Sequence, residues 1–390
     1  MEISSEKLKV GVLAFSSCTN YGGMLQVYAM QEALLSLGHI PEVVDLWPIP
    51  NNKYLLGTIH NPYVGIGTRL KGVKSWLFCK AYRLYEQRYA AFREWQKKNF
   101  NMTEDHWRNP MEFARNPPKL DLLEVGSDQV FNSDVSKIFL CTDVPLSLPR
   151  FSYGASFGNL EKSQEEKERL REGLLKFRNL SVRERSGALL VNELLGKSVS
   201  WTVDPVLLPD SMFWKRIASS VKKVAEDKYV VVYHLGKVSE IKDRVERLHR
   251  QTGLPVKMFV GVYEKSMPIR MDGVEILWAA DPFDFVGAIA NAEYVVSNSF
   301  HAMMFSVIFG RKAFFAIAEG GGNRAASVSR FTEIAMEARC GNALHENWPD
   351  GDLEFFDMSN CYDALANMIR KSRSLLKEFC VIEQQGDIAL

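Results

Sequence analysis

The chain is poor in the features that would assign it quickly. It has no run of about 18 apolar residues, so no membrane-spanning helix is expected. Cys18, Cys79, Cys141, Cys340, Cys361 and Cys380 are scattered and form no Cys-x-x-Cys pair. That argues against a zinc site or a disulfide scaffold and fits a reducing compartment. No His/Asp cluster has ligand spacing, so no metal is expected. Neither charge dominates: the formal net charge is +1 and there is no long basic stripe, which disfavours nucleic acid as a partner. The first residues, Met1 to Lys7, are charged and lack the apolar centre of a signal peptide. These absences point to a cytoplasmic globular protein.

What remains is an α/β pattern. At 390 residues the chain exceeds one typical domain. Leu8–Phe15 reads as a buried strand, Ser16–Gly23 as a polar loop with glycines, Met24–Leu37 as a helix and Glu42–Leu46 as a strand. Gly22 and Gly23 fit two readings equally: a ligand loop at a strand's carboxyl end, or a turn that needs backbone freedom. The loop lacks Gly-x-Gly-x-x-Gly, so no dinucleotide is implied. Pro48 to about Gly72 looks irregular. Val73–Phe100 has helical aromatic spacing that suits core packing, with a basic face that is most simply solvated but could also meet an acidic partner or a membrane surface.

Further strands are expected at Leu120–Val125, at Phe151 onward, at Leu180 onward and at Ser198–Val203, each running into a polar or small-residue loop. Asp128, in the first of these loops, suits a base or a hydroxyl ligand, and equally a helix cap. Arg183, near a strand end, suits a carboxylate or phosphate because its fork bonds two oxygens. A salt bridge to Glu184 or another acid is the plain alternative. A second alternation follows from Tyr229, with a helix at Ser327–Glu337 and another at Tyr362–Phe379. Domains are expected at 1–206 and 228–361, with a connector at 207–227 and a C-terminal helix in 362–390. Two consecutive α/β halves imply a cleft between them.

Asn291–Gly310 concentrates several signals. Tyr294–Val296 is a short apolar strand, Ser297, Asn298 and Ser299 are turn and cap residues, and Phe300–Phe309 is an apolar helix closed by Gly310. His301 falls in the first helical turn, where free N–H groups attract anions. A histidine there can serve as a general acid when an anionic substrate is bound. It can equally do no more than cap or pack.

In order and spacing, Asn20–Ala29, Gly126–Asn132, Tyr153–Gly158, Ser181–Glu184, Val203–Pro205 and Ser297–His301 resemble the polysaccharide pyruvyl transferase family, over about Val10 to Arg339. The resemblance implies two Rossmann-like domains facing a cleft (a GT-B-like fold). It also implies phosphoenolpyruvate as donor, a sugar diol of a surface glycan or its precursor as acceptor, a cyclic pyruvate ketal as product, and no cofactor. It associates Arg183 and His301 with the donor, beside which Ser299, Phe300, Arg324 and Arg330 are expected, and His301 and Asp128 are the expected catalytic residues. Asn20, Tyr21, Gly22, Gly23, Gln26, Asn132 and Tyr153, with Asp128 again, fall to the acceptor. Many members carry arginine where this chain has Ser299, and Arg324 or Arg330 is the expected substitute. A lipid-linked acceptor and peripheral contact at the inner face of the membrane are compatible with this reading. The alternatives are a nucleotide-sugar glycosyltransferase in the same kind of cleft and a non-catalytic glycan-binding member of a polysaccharide assembly.

Overall fold

The computed structural model describes residues 7–46, 66–78, 80–107, 110–132, 139–141, 148–261, 270–318 and 328–381. The first part runs β1 (Lys9–Leu13), α1 (Tyr21–Ser36), β2 (Ile40–Leu46), α2 (Ile66–Phe78), α3 (Lys80–Asn99), β3 (Met102–Trp107), α4 (Pro110–Arg115), β4 (Leu122–Gly126), β5 (Arg150–Ala155), α5 (Gln164–Leu174), β6 (Asn179–Val182), α6 (Arg185–Leu195) and β7 (Ser200–Trp201). A short 3-10 turn, Pro205–Leu207, and α7 (Ser211–Ser220) lead to the second part. That part runs β8 (Val230–His234), α8 (Val238–Thr252), β9 (Val256–Val260), β10 (Val274–Ile276), α9 (Pro282–Asn291), β11 (Tyr294–Ser297), α10 (Phe300–Phe309), β12 (Lys312–Ala316) and α11 (Val328–Glu337). It closes with β13 (Leu344–His345), β14 (Phe356–Asp357), α12 (Cys361–Ala364) and α13 (Ala366–Phe379).

The strands form two seven-stranded open sheets. The first, in order β3-β2-β1-β4-β5-β6-β7, is parallel throughout. The second, β10-β9-β8-β11-β12-β13, is parallel except for β14, which pairs antiparallel with β12. Each begins at its centre, grows outward, then crosses back, so strand order reverses between β1 and β4 and between β8 and β11. Ligands in such sheets bind beyond the strands' carboxyl ends at that reversal. The fold is α/β and GT-B-like, with both sheets open.

The central strands are apolar on both faces, as parallel strands covered by helices must be: all of Val230–His234 and Leu122–Gly126 is buried. Every residue of α10 is buried, and α1 is nearly so. Helices without a polar face belong inside a protein, and these two lie where the sheets meet. One apolar cluster spans both parts, joining Val10, Leu25 and Tyr153 to Val231, Phe285 and Met303. Tyr21 stacks on Phe285 at 4.9 Å across that junction, a contact worth about 0.5–1.5 kcal/mol beyond its buried area. The chain then returns: α13 packs Phe379 on Phe151 at 5.6 Å, and Ser372 Oγ accepts from Val203 N at 3.1 Å.

Several expectations need correction. Residues 66–72 are helical, not irregular; the rest of that expected loop from Pro48 lies outside the described residues. The aromatic stripe is helical as expected over α2 and α3, with Cys79 between them outside the described residues, and Arg83 Nη1 donates to the Trp76 and Leu77 carbonyls at 3.3 Å. β3 is mostly polar (Met-Thr-Glu-Asp-His-Trp) and edges the sheet, so the apolar pattern does not mark it. The C-terminal helix breaks at Leu365. Helix α1 begins at Tyr21, so Gly22 and Gly23 lie in its first turn and not in a loop.

Candidate functional site

Two helix N-termini converge where the sheets meet. Asn20 caps α1, its Oδ1 accepting from Gly23 N at 3.2 Å. Ser299 caps α10, its Oγ accepting from Ala302 N at 3.5 Å. Neither first turn holds an acidic side chain, so both positive helix ends remain uncompensated by their own residues. The loop before α10 is pinned: Asn298 Oδ1 accepts from Leu235 N at 2.7 Å, and Ser297 Oγ donates to Tyr233 O at 2.5 Å. His301 therefore stands at a fixed place in the first turn. Its ring lies against Gly22 so closely that a Cβ there would sit 2.1 Å from Nδ1. The glycine serves a close approach of helix to imidazole, not a turn.

Arg183 follows β6, its carbonyl held by Trp201 Nε1 at 2.7 Å. Its guanidinium is buried among three carboxylates: Asp204 Oδ2 at 2.9 Å, Glu184 Oε1 at 3.4 Å and Asp128 Oδ1 at 3.5 Å. Burial alone would lower its pKa, but Glu184, Asp204 and Asp128 outweigh it and raise it. The salt-bridge alternative is thus met in full, and by more partners than Glu184. Yet Nη2 makes no hydrogen bond.

Asp204 is the member that sequence reasoning missed. It is 1% exposed. Its Oδ2 lies 2.9 Å from Arg183 Nη1 and 3.4 Å from His301 Nε2 and accepts from Ser127 Oγ at 3.3 Å, while Oδ1 accepts from Val206 N at 3.1 Å. Burial would lift this carboxyl, but His301 and Arg183 outweigh burial and hold it well below the usual carboxylate range. One carboxylate thus joins the arginine of the first sheet to the histidine beyond the second. The available signal was the Val-Asp-Pro triplet, which had been noted without a role for its acid.

Asp128 adopts a left-handed backbone with φ 62°, which Asp tolerates better than most residues. Its Oδ1 also accepts from Gln129 N at 2.9 Å, so it both caps locally and faces Arg183. Both guanidinium groups of Arg183 and Arg330 lie over the Phe300 ring, 4.9 and 5.9 Å from its centre. Of the two expected substitutes for the arginine absent at Ser299, Arg330 thus lies against the neighbouring Phe300, and Arg324 lies outside the described residues. From the same helix, the Glu333 carboxylate accepts from Arg185 N at 2.5 Å and Ser186 N at 3.2 Å, capping α6 across the junction.

The acceptor residues divide. Asn20, Gly22, Gly23 and Asp128 gather around the convergence. Asn132 lies one loop away, its Nδ2 donating to Gln129 Oε1 at 3.3 Å. Tyr21, Gln26 and Tyr153 are buried. Tyr21 donates to Ala280 O at 3.1 Å and accepts from Arg88 Nη1 at 3.2 Å, while Tyr153 lies in the apolar cluster under α13. Their aromatic bulk fills the junction. Arg88, on the basic side of α3 that was expected to be solvated, is buried; it also donates to Thr19 O at 2.8 Å and so fixes the loop before α1. Among the described residues no cluster of His, Cys, Asp and Glu is arranged to hold a metal ion, and no helix is long and apolar enough to cross a membrane.

The polysaccharide pyruvyl transferase family profile matches residues 20–319. The chain belongs to that family. No curated protein sequence matches it significantly. Among solved structures it is similar to the UDP-N-acetylglucosamine 2-epimerase from Rickettsia bellii, with 11% identity, 96% of this chain and 97% of that chain covered, and a TM-score of 0.50. It is also similar to the UDP-GlcNAc 2-epimerase from Neisseria meningitidis bound to UDP-GlcNAc, with 11% identity, 93% and 99% covered, and a TM-score of 0.44. At such identities the likeness concerns fold alone.

Proposed function

We propose that the protein transfers pyruvate from phosphoenolpyruvate to two hydroxyls of a sugar in a surface glycan or its precursor, forming a cyclic ketal and releasing phosphate. The observation that carries this reading is the shared carboxylate of Asp204, which brings Arg183 and His301 together where the N-termini of α1 and α10 converge. Helix ends, the unspent Nη2 donor of Arg183 and the nearby Arg330 suit a small multiply charged anion. Side-chain charge alone does not make the place positive, since Asp128, Glu184 and Asp204 surround Arg183. The helix ends are therefore an essential part of the attraction.

In this mechanism one sugar hydroxyl adds to C2 of the enol phosphate while C3 gains a proton from His301, converting the methylene to a methyl. The second hydroxyl then attacks C2, the C2–O bond to phosphate breaks, and its proton leaves with phosphate. Asp128 takes the proton of the attacking hydroxyl. Arg183 and Arg330 hold the donor's carboxylate and phosphate. A general acid typically contributes about 10²–10⁴ to rate. The test is phosphate release from phosphoenolpyruvate with galactoside and N-acetylhexosamine acceptors, with product mass as a second readout. Thermal stabilisation by uridine diphosphate and not by phosphoenolpyruvate would replace this reading with glycosyl transfer.

A further inference from the structure

Helix α2 presents an exposed apolar face among the described residues. Leu70, Val73, Trp76 and Leu77 are 65, 41, 41 and 54% exposed, a third of the large exposed apolar side chains among the described residues. At about 100° per residue they fall within an arc of roughly 120°. Exposed Lys74 borders that arc, Arg69 falls within it and exposed Lys71 lies on the far side, and Ile66–Phe78 contains no acidic residue. Gly72, about 40° beyond Trp76 on the helix surface, is buried. A helix with an exposed apolar arc that holds a tryptophan, and with no charged residue but cations, is the pattern of an interfacial helix on an anionic lipid surface.

Its position adds a second argument. Helix α3 runs alongside α1: Arg88 bonds Thr19 O, and Gln31 Nε2 donates to Asn99 O at 2.8 Å. The residues of α3 before Arg88 therefore extend past the N-terminus of α1 by about 12 Å, at 1.5 Å per residue. Helix α2 is tied to that overhang by Arg83. It stands on the side of the molecule where α1 and α10 converge.

We propose that the exposed face of α2 docks the protein on an anionic membrane surface, with the mouth of the site turned toward the lipid. Leu70, Val73, Trp76 and Leu77 enter the headgroup boundary, and Lys74 at its edge pairs with lipid phosphate. Under the pyruvyl-transfer reading this placement suits an acceptor carried on lipid; the docking itself needs neither donor nor turnover.

The test is co-sedimentation of the full chain with vesicles of phosphatidylcholine alone and of equal parts phosphatidylcholine and phosphatidylglycerol. Wild type is expected on the anionic vesicles only, and to come off at high salt. Leu70→Ser/Leu77→Ser and Lys74→Glu should each weaken binding about tenfold, with unchanged circular dichroism because these side chains are exposed. Failure of wild type to bind, or binding by both variants at wild-type strength, overturns the proposal. So does a wild-type dimer by light scattering that the leucine variant splits, since a second copy would then cover the face. A chain that binds vesicles but releases no phosphate from phosphoenolpyruvate would leave the docking intact and remove the reaction.

Discussion

Helix α1 opens with Tyr-Gly-Gly behind an asparagine cap, and α10 opens with Phe-His-Ala behind a serine cap. Both start beyond a central strand at the reversal of strand order, both are buried, and both aim an uncompensated positive end at one spot. They differ in what the first turn carries. Helix α10 brings the imidazole; α1 brings an absence of side chain that admits it. Similar backbone geometry has been divided into a working half and a permissive half, and neither makes the site alone.

Removing the working half should have the largest effect. His301→Ala is expected to lower the rate of phosphate release about 10²–10⁴-fold with little loss of fold, since Asp204 keeps Arg183. Filling the permissive half comes next. Gly22→Ala places a Cβ 2.1 Å from His301 Nδ1, forcing the ring aside, and a displacement near 1 Å can cost about 10²-fold. In a His301→Ala background the two closest clashes disappear and only the one with the residue 301 Cβ, at 2.7 Å, remains, so the same change should cost less, a coupling a double-mutant cycle measures. Gly23→Ala, whose Cβ would come no closer than 3.3 Å to any neighbour, Cys18 Sγ, is the milder control.

The connecting carboxylate is tested through stability. Breaking a buried ion pair by removing one partner costs about 3–5 kcal/mol, so Asp204→Asn should lower the melting temperature at neutral pH. The folded pKa of Asp204 lies below its ordinary value of 3.8. Its stabilisation is therefore complete above that value and disappears as pH falls through the folded pKa. Melting curves across the acid range should show wild type and Asp204→Asn converging as the pH drops. Glu333→Gln is expected to act least, about 0.5–2 kcal/mol as for a lost helix cap; a shift in the Michaelis constant with the turnover number preserved would mark α11 as a clasp over the donor.

The strands and helices near the centre were legible because parallel strands and buried helices write long apolar runs with capping residues at their ends. Asp281 capping α9 and Ser299 capping α10 are examples. β3 was not legible because an edge strand need not be apolar. His301 and Arg183 could be singled out from cap chemistry and strand-end position, but Asp204 could not. Its importance arises only when residues 183, 204 and 301 meet, which no local pattern encodes. The same holds for Gly22, whose constraint is a ring nearly three hundred residues away, and for Glu333, which caps a helix of the other sheet.

The most direct test of the shared site is calorimetric binding of phosphoenolpyruvate to wild type, Arg183→Ala and His301→Ala, followed by single-turnover phosphate release with a competent acceptor. The account predicts that Arg183→Ala loses donor affinity, whereas His301→Ala still binds the donor but releases phosphate at least about 10²-fold more slowly. Full turnover in both variants, or no binding of phosphoenolpyruvate to wild type, would contradict it.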